Sequence, residues 1–549
     1  MTAALQGALV AVAGAAWMAL LGRAALVAAR MYQIEEYEAA RLLAWGATRR
    51  WLLHRCVMVA TTPVAVVTVF AITDLSRPGL RVAVAAAWAG GVGAAHVLWR
   101  WLRPKKELVY TPRLRRMLAT AAVLGALLAA LVSLAVSIGP VWVAGALSTL
   151  LSLGFTALSM GVLVAANILN APIEAGVRRG FLRRARLRLE RFQPLVIAVA
   201  GSYGKTSTKH ILAHMLEQYG PTLATPKSFN TLMGVCRTVN DVLDEHHRTF
   251  IVEMDAYAPG EIASICALVR PRHALVTSVG PQHLERFGSL ERISSALYET
   301  IDALAPDGFT LVYAGDEWGA ALAARARAAG HEVIRYGIAG TGDLDVVAED
   351  VQITGQGSRF TWRWPAAGVH HDLELPLLGR HQVLNVSAAL AAVHRLGLPL
   401  HPALAEVASL RPVDHRLQPV PTGNAITVID DSYNANPVGV HNGLEVLSQL
   451  EARSRILVTP GLVELGAVED EENRRYGEHA ARVCDHVIVM DARPARALRD
   501  GLRAGGMSDD RVHVVRSLAE ATEMIGRIAG AGDAVLFAND LPDTYLGAA

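Results

Sequence analysis

Apolar positions follow two regimes along this chain. Up to about residue 173 they run almost unbroken, and beyond about residue 193 short apolar runs alternate with stretches of helical period. Segment 2–29 carries a single charge, Arg23, and segments 56–73, 82–99, 117–139 and 140–173 contain no Asp, Glu, Lys or Arg. A helix crosses a bilayer with roughly 20 apolar residues. The pattern therefore predicts an N-terminal α-helical transmembrane domain of about five spans over residues 1–173. The first run is long and lacks a basic start, which argues against a cleaved signal peptide. Arginines and lysines gather in the first and third connections and again from Arg178 to Arg191. By the positive-inside rule this predicts a multi-pass protein of the cytoplasmic membrane, N-terminus outside, with everything after about residue 174 in the cytoplasm. Residues 174–192 read as a basic connector near anionic lipid headgroups. Its alternative role is to hold a lipid-linked phosphate substrate.

From residue 193 the pattern predicts α/β structure. Strand-like runs at 196–200, 249–252, 273–277 and 309–312 alternate with helical ones, as in a mostly parallel sheet. The first strand turns through Gly201, Ser202, Tyr203 and Gly204 into a helix that begins Lys205, Thr206, Ser207. Loop amides and the positive end of a helix favour a bound phosphate. Lys205 then reaches the outer phosphates and Thr206 ligates magnesium. The full P-loop pattern wants a glycine at Val199, so the match is partial, and an ordinary strand–turn–helix joint competes with it. Glu253 ends a predicted strand and His283 lies in a loop beyond another. Nucleotide sites in such sheets sit at the carboxyl ends of strands, so Thr206, Glu253 and His283 form a candidate metal set. The competing readings are a helix cap for Glu253 and a surface position for His283.

Composition sharpens this division. Of 549 residues 52% are hydrophobic and 19% charged, and the mean hydropathy is +0.30, values that fit a membrane part. A net charge of +2 implies no bulk attraction to nucleic acid. Cys56, Cys236, Cys266 and Cys484 are widely spaced, which predicts neither a zinc site nor a disulfide framework. His370 and His371 look like a metal pair, but strand neighbours point to opposite faces. Residues 328–375 read as a β-rich insert and 470–475 as a solvated helix start.

The order of these pieces resembles a known family. Gly201, Ser202 and Gly204 to Ser207, then Asn230 and Gly234, then Glu253 with Gly260, Glu261 and Ile262 begin the likeness. Gln282 to Gly288 and Gly379, Arg380 and His381 with Asn385 continue it, and together they look like the Mur ligases. Residues 430–437, Asp-Asp-Ser-Tyr-Asn-Ala-Asn-Pro, resemble the motif of the MurF-type member, and Val463 to Gly466 with His479 extend the likeness. It runs from about residue 193 to the C-terminus. The resemblance implies a central ATP-binding domain over 193–410 and a Rossmann-like C-terminal domain over 411–549. It also implies ATP and Mg2+ as cofactors and amide formation through an acyl phosphate. The partners would be a cell-wall precursor with a free carboxylate, UDP-linked or lipid-linked, and an amino acid or dipeptide. By motif, Lys205, His283 and Arg416 would be catalytic. Gly201, Ser202, Gly204, Lys205, Thr206, Ser207, Asn385, Asp431 and Asn434 would bind nucleotide, with Thr206, Glu253 and His283 at metal.

Several positions depart from the family. Leu297 stands where the family usually has a carbamylated lysine, and Glu299 or Tyr298 is the candidate substitute. Tyr313 replaces an asparagine, His415 a glycine, and residues 538–540 read Ala-Asn-Asp where Lys-Gly-Ser is usual. No uridine-nucleotide domain is visible before residue 193, which suggests a lipid-linked acceptor. A poly-γ-glutamate-type synthase and a non-catalytic nucleotide-binding scaffold are the competing functions.

Overall fold

The computed structural model describes residues 22, 25–35, 37–48, 108–138, 155–354, 357–420, 425–433, 436–491 and 494–539. The chain divides into two units, Met1–Arg179 and Gly180–Ala549.

In the first unit the helices Ala39–Thr48, Pro112–Ile138 and the start of Phe155–Phe192 gather around Met31, Tyr32, Leu42, Leu114, Met117, Met160 and Leu163. Polar side chains tie the same helices. Asn167 donates to the Tyr32 hydroxyl at 3.0 Å, and Arg116 pairs with Glu174 at 2.8 Å. The expected five-span transmembrane domain is not supported. Among the described residues one helix, Met160–Phe192, is long and apolar enough to cross a membrane. The multi-pass location with an outside N-terminus is corrected with it, since it rested on the count of spans. The expected spans at 56–73 and 82–99 lie outside the described residues, and those at 2–29, 117–139 and 140–173 lie partly outside. Residues 174–192, expected as a separate connector, are the second half of the continuous helix Phe155–Phe192, which contains Pro172.

The second unit holds two sheets. The first contains β1 (Leu195–Ala200), β2 (Thr222–Ala224), β3 (Thr249–Glu253), β4 (His273–Val276), β5 (Phe309–Tyr313), β6 (Glu332–Ile338), β7 (Val346–Thr354), β8 (Gly357–Trp364) and β9 (Val369–Leu375). Their order is β2-β3-β1-β4-β5-β6-β7-β8-β9. Pairing is parallel as far as β7 and antiparallel from β7 to β9. The 328–375 region is thus the far edge of the main sheet. Phe360, Trp362 and Trp364 alternate inward on β8. His371 stacks on Trp362 while His370 is exposed, as neighbouring strand positions require.

Helices cover both faces of this sheet. On one lie α1 (Lys205–Leu216) and, later in the chain, Arg380–Arg395, which buries Val383, Val386 and Leu390 against Leu212 and Met215. On the other lie α2 (Glu261–Val269) and α3 (Leu290–Asp302), with Ala185 and Leu189 of the long helix.

The second sheet contains β10 (Gln418–Val420), β11 (Thr427–Asp431), β12 (Arg455–Thr459), β13 (His486–Met490), β14 (Val512–Val515) and β15 (Ala534–Ala538), in the order β10-β11-β15-β12-β13-β14. Only β10 pairs antiparallel. Helices α4 (Pro437–Gln449) and α5 (Glu469–Val483) pack on it. The turn before α1 follows β1, Glu253 ends β3 and Asp431 ends β11, so the carboxyl ends of strands from both sheets carry the residues that matter next.

Candidate active site

The turn after β1 is held open by tight backbone. Gly201 has φ +135°, and a Cβ there would sit 2.2 Å from the Thr277 hydroxyl. Gly204 has φ +80°, and a Cβ there would sit 2.9 Å from the Asn385 side-chain oxygen. Both conformations favour glycine. Ser202 closes the loop from below: its N–H donates to the Ser278 carbonyl at 2.8 Å, and its hydroxyl donates to the Gly280 carbonyl at 3.0 Å. This cradle opens into a cavity of about 440 Å³ that both sheets line.

Lys205 is buried and folded onto its own loop. Its ammonium donates to the Gly201 carbonyl at 2.6 Å and to the Gln282 amide oxygen at 3.0 Å, with Asp255 at 3.3 Å. Thr206 donates to Glu253 Oε1 at 3.2 Å, and Asn230 donates to the same oxygen at 3.1 Å. The other oxygen of Glu253 receives Lys209 at 2.9 Å. Glu253 is 1% exposed and Lys209 0%. Burial alone would push the carboxyl up, but Lys209, Lys205 and Asn230 outweigh it and hold Glu253 below the ordinary range. An ionised carboxylate oxygen beside a hydroxyl is a donor pair that suits a hard cation such as Mg2+. Among the described residues no group of three or more His, Cys, Asp or Glu is arranged to hold a metal, so phosphate and water oxygens would complete that shell.

His283 lies in a neighbouring pocket that shares Ser202, Asp255 and Gln282 with this cavity. Its Nδ1 meets Glu464 at 2.8 Å and its ring packs tilted against Tyr257, centroids 4.4 Å apart, with φ +54° on the backbone. Leu297 is buried beside it with Ala296 and Ile293, in a small pocket that Asp255 and Gln282 also line. The candidate substitutes for the missing lysine are engaged in other contacts. Both oxygens of Glu299 accept N–H groups at the start of α2, Gly260 at 2.7 Å and Ala263 at 2.9 Å. Tyr298 lies under the guanidinium of Arg325, 3.6 Å from ring centroid to carbon.

Asn385 lines the cavity with both polar atoms engaged, accepting from Thr208 at 3.0 Å and donating to Gln382 at 3.1 Å. Ser207 is buried in the cavity wall. The opposite wall carries Arg416, whose guanidinium lies 4.8 Å from the Tyr433 ring, and Asp431, which accepts the Leu417 N–H at 3.2 Å. Burial raises the Asp431 carboxyl to about 7, against the pull of Arg416. Tyr433 also hydrogen-bonds Ser228 across the cavity. Asn434 lies outside the described residues.

The structure thus brings Ser202, Gly204, Lys205, Thr206, Ser207, Glu253, Asn385, Arg416 and Asp431 to one cavity, with Gly201 and His283 in a small pocket beside it and His283 paired with Glu464. Lys209, Asp255, Tyr433 and Ser228 had been given no role. Lys209 had a readable signal, a second lysine one turn after Lys205 in the same helix.

Known proteins carry the same pattern. Residues 199–393 match the Mur ligase middle domain, and residues 415–539 match the Mur ligase glutamate ligase domain. The UDP-N-acetylmuramoyl-tripeptide–D-alanyl-D-alanine ligase of Escherichia coli is 33% identical over 327 residues, 59% of this chain and 70% of that protein. The Bacillus subtilis protein of the same name is 28% identical over 355 residues, 64% of this chain and 74% of its own length. Among solved structures, MurF from Acinetobacter baumannii superposes with a TM-score of 0.59 at 26% identity, covering 66% of this chain and 77% of that one. MurF from Thermotoga maritima, solved in complex with ADP, shares the fold at 24% identity, with a TM-score of 0.59 over 67% of this chain and 81% of that one. The fold class is therefore α/β of this type, which replaces the multi-pass membrane architecture expected at the start.

Proposed function

This chain belongs to the Mur ligase family and is an ATP-dependent amide-bond-forming ligase of peptidoglycan synthesis, and from that premise we propose that it joins a muramyl-peptide carboxylate to D-alanyl-D-alanine or a related amine. The observation that carries this reading is a single cavity lined by Lys205, Thr206, Glu253, Arg416 and Asp431.

In this reading a carboxylate oxygen of the acceptor attacks the γ-phosphorus of ATP, and the bond to the ADP oxygen breaks. The amine nitrogen then attacks the acyl carbon, phosphate leaves with the C–O electron pair, and the nitrogen gives up a proton. Loop amides and the start of α1 receive the phosphates. Lys205 leaves Asp255 and Gln282 to neutralise charge on the transferring group. Magnesium, held by Thr206 and Glu253, would neutralise further phosphate charge. Arg416 and Asp431 close the far side and exclude water from the reactive acyl group. The His283–Glu464 contact and the Ser228–Tyr433 hydrogen bond join residues around the two sheets.

Phosphate release with magnesium-ATP tests this, with UDP-linked and lipid-linked muropeptides offered separately, D-alanyl-D-alanine or single amino acids as amines, and product masses read alongside. Release that requires both a muropeptide and an amine, with the matching mass gain, supports the reading and identifies the donor. Nucleotide binding with no product from any pair would overturn it in favour of a scaffold.

A further inference from the structure

The ammonium of Lys205 rests in a cage of oxygens. It donates to the carbonyls of Gly201 at 2.6 Å and Ser202 at 3.3 Å and to the Gln282 amide oxygen at 3.0 Å, and it pairs with Asp255 Oδ1 at 3.3 Å. The carboxylate is held in place from its other sides. Asn230 donates to its Oδ2 at 3.4 Å, and the Ala256 N–H donates to Oδ1 at 3.1 Å. Ser202, Lys205, Asp255 and Gln282 all line the main cavity, and the Asp255 side chain is 16% exposed, so a ligand in the cavity reaches the cage.

In the ligase reading Lys205 leaves this cage for the transferring phosphate. The cage then keeps the Asp255 charge and loses the cation that balanced it, beside a polyphosphate of the same sign. Like charges at that range cost free energy until a cation returns. Magnesium would have its own donors in Thr206 and Glu253 and makes contacts of about 2.0–2.1 Å. The oxygens here stand instead at hydrogen-bond distance around a primary ammonium. The amine that such a ligase consumes is also a primary ammonium at neutral pH, since α-amino groups titrate near about 8. Lys205 reaches both places from one Cα, so the cage lies within a side chain's length of the phosphate on which the acyl group is activated.

We propose that Asp255 and Gln282, with the carbonyls of Gly201 and Ser202, form the binding site for the ammonium of the incoming amine once Lys205 has left for the phosphate. This rests on the ligase reading above. Lysine and substrate use one cage in turn, so amine binding waits on nucleotide. In the joining step the nitrogen bonds to the acyl carbon, and the C–O bond to phosphate breaks with its electron pair on the phosphate. Of the two protons that the ammonium loses, one goes to Asp255 and one to the departing phosphate.

Asp255→Asn tests this, because it keeps the shape and removes the charge. KM values for amine, muropeptide and magnesium-ATP are read by phosphate release across the titration of the amine, with D-alanyl-D-alanine or the single amino acid that wild type prefers to it. The expected result is an amine KM raised about tenfold or more, with the other two KM values within about threefold. The wild-type amine KM should climb above about pH 8, where the ammonium is lost. That climb should be absent from Asp255→Asn and present in Asp255→Glu, a pattern that a structural role would not produce. An unchanged amine KM with a lower KM for ATP overturns the proposal and leaves Asp255 a resting counter-ion of Lys205. An amine KM restored by excess magnesium overturns it in favour of a metal ligand. Should Asp255→Asn fail to fold, Gln282→Met removes the other side-chain acceptor and should raise the amine KM a few-fold, and an unmoved value there overturns the proposal. Wild type that releases no phosphate with any amine sinks the ligase reading and this proposal together. Normal wild-type turnover with an amine KM unmoved in the variants sinks the proposal alone.

Discussion

On the wall of the cavity built from the first sheet, Glu253 and Lys209 are 1% and 0% exposed, and both oxygens of Glu253 are hydrogen-bonded. On the wall built from the second sheet, Tyr433 is 40% exposed, Arg416 and Asp431 are half-buried, and solvent-exposed contacts reach across, from Tyr433 to Ser228 and from Glu445 to Arg380. The first wall is set before any ligand arrives. The second depends on what it closes upon. A phosphate site gains from fixed dipoles, which need no reorganisation during the reaction, whereas a seam that must admit a peptide and release a longer one gains from few and breakable contacts. Changes on the first wall should therefore damage stability and activity together, and changes on the second should separate them.

The largest effect is expected at Lys205. Lys205→Ala should lower kcat/KM for ATP by about 10³-fold, read by phosphate release. A loss below tenfold would break the assignment of this wall to phosphate chemistry. Lys209→Met comes next. It leaves the Glu253 carboxylate buried without its cation and should cost about 3–5 kcal/mol in urea unfolding, along with activity. A stable, active variant would show that the first wall is no more preset than the second.

Asp431→Asn should act in the opposite direction on stability. The folded carboxyl titrates near 7 against an ordinary 3.8, so the native state holds a proton that the unfolded chain has released. The stability this confers is full below about 3.8, is lost as pH rises through about 7, and is flat above. The asparagine variant should follow no such slope, and its advantage over wild type should grow by about 1.4 kcal/mol per pH unit across that window, measured by denaturant unfolding without nucleotide. Parallel profiles for the two proteins would remove Asp431 from the strained side of the comparison. The smallest effect is expected for Tyr433→Phe, which removes the bond to Ser228. Stability should change by about 1 kcal/mol or less, with a KM shift of a few-fold. A loss as large as that of Lys209→Met would mean that the second wall is also fixed in advance.

Much of the first wall was legible because it is contiguous. The strand, the glycine turn and the residues Lys205 and Thr206 lie within a dozen positions, and the backbone demands at Gly201 and Gly204 are local. Its second half was not, because the pairing of Lys209 with Glu253 spans 44 positions. The partner of His283 was illegible for a related reason. The loop position of His283 was readable, but Glu464 is 181 residues away. Asn473 shows the same limit. It lies in the run expected to be solvated, yet it is fully buried and bonds the Leu462 N–H and carbonyl beyond β12. The transmembrane expectation failed on a different ground. A hydropathy window averages side chains one by one and does not register contacts between helices such as Asn167 with Tyr32 or Arg116 with Glu174. The sheets were read correctly as α/β because short strands alternating with helices leave few other packings.

The carboxylate of Glu299 bears on what position 297 can carry. It caps the first turn of α2 with both oxygens, two positions from a Leu297 packed into a pocket that Asp255 and His283 also line. A lysine introduced at position 297 would place a cation in that pocket, where Asp255 is already paired with Lys205 and the Glu299 carboxylate is committed to backbone amides. Freeing Glu299 first would strip the start of α2 of its acceptors. The two positions are therefore coupled: a change at one toward a cation site disturbs what the other supports, and substitutions at 297 and 299 are expected to act as a pair rather than add.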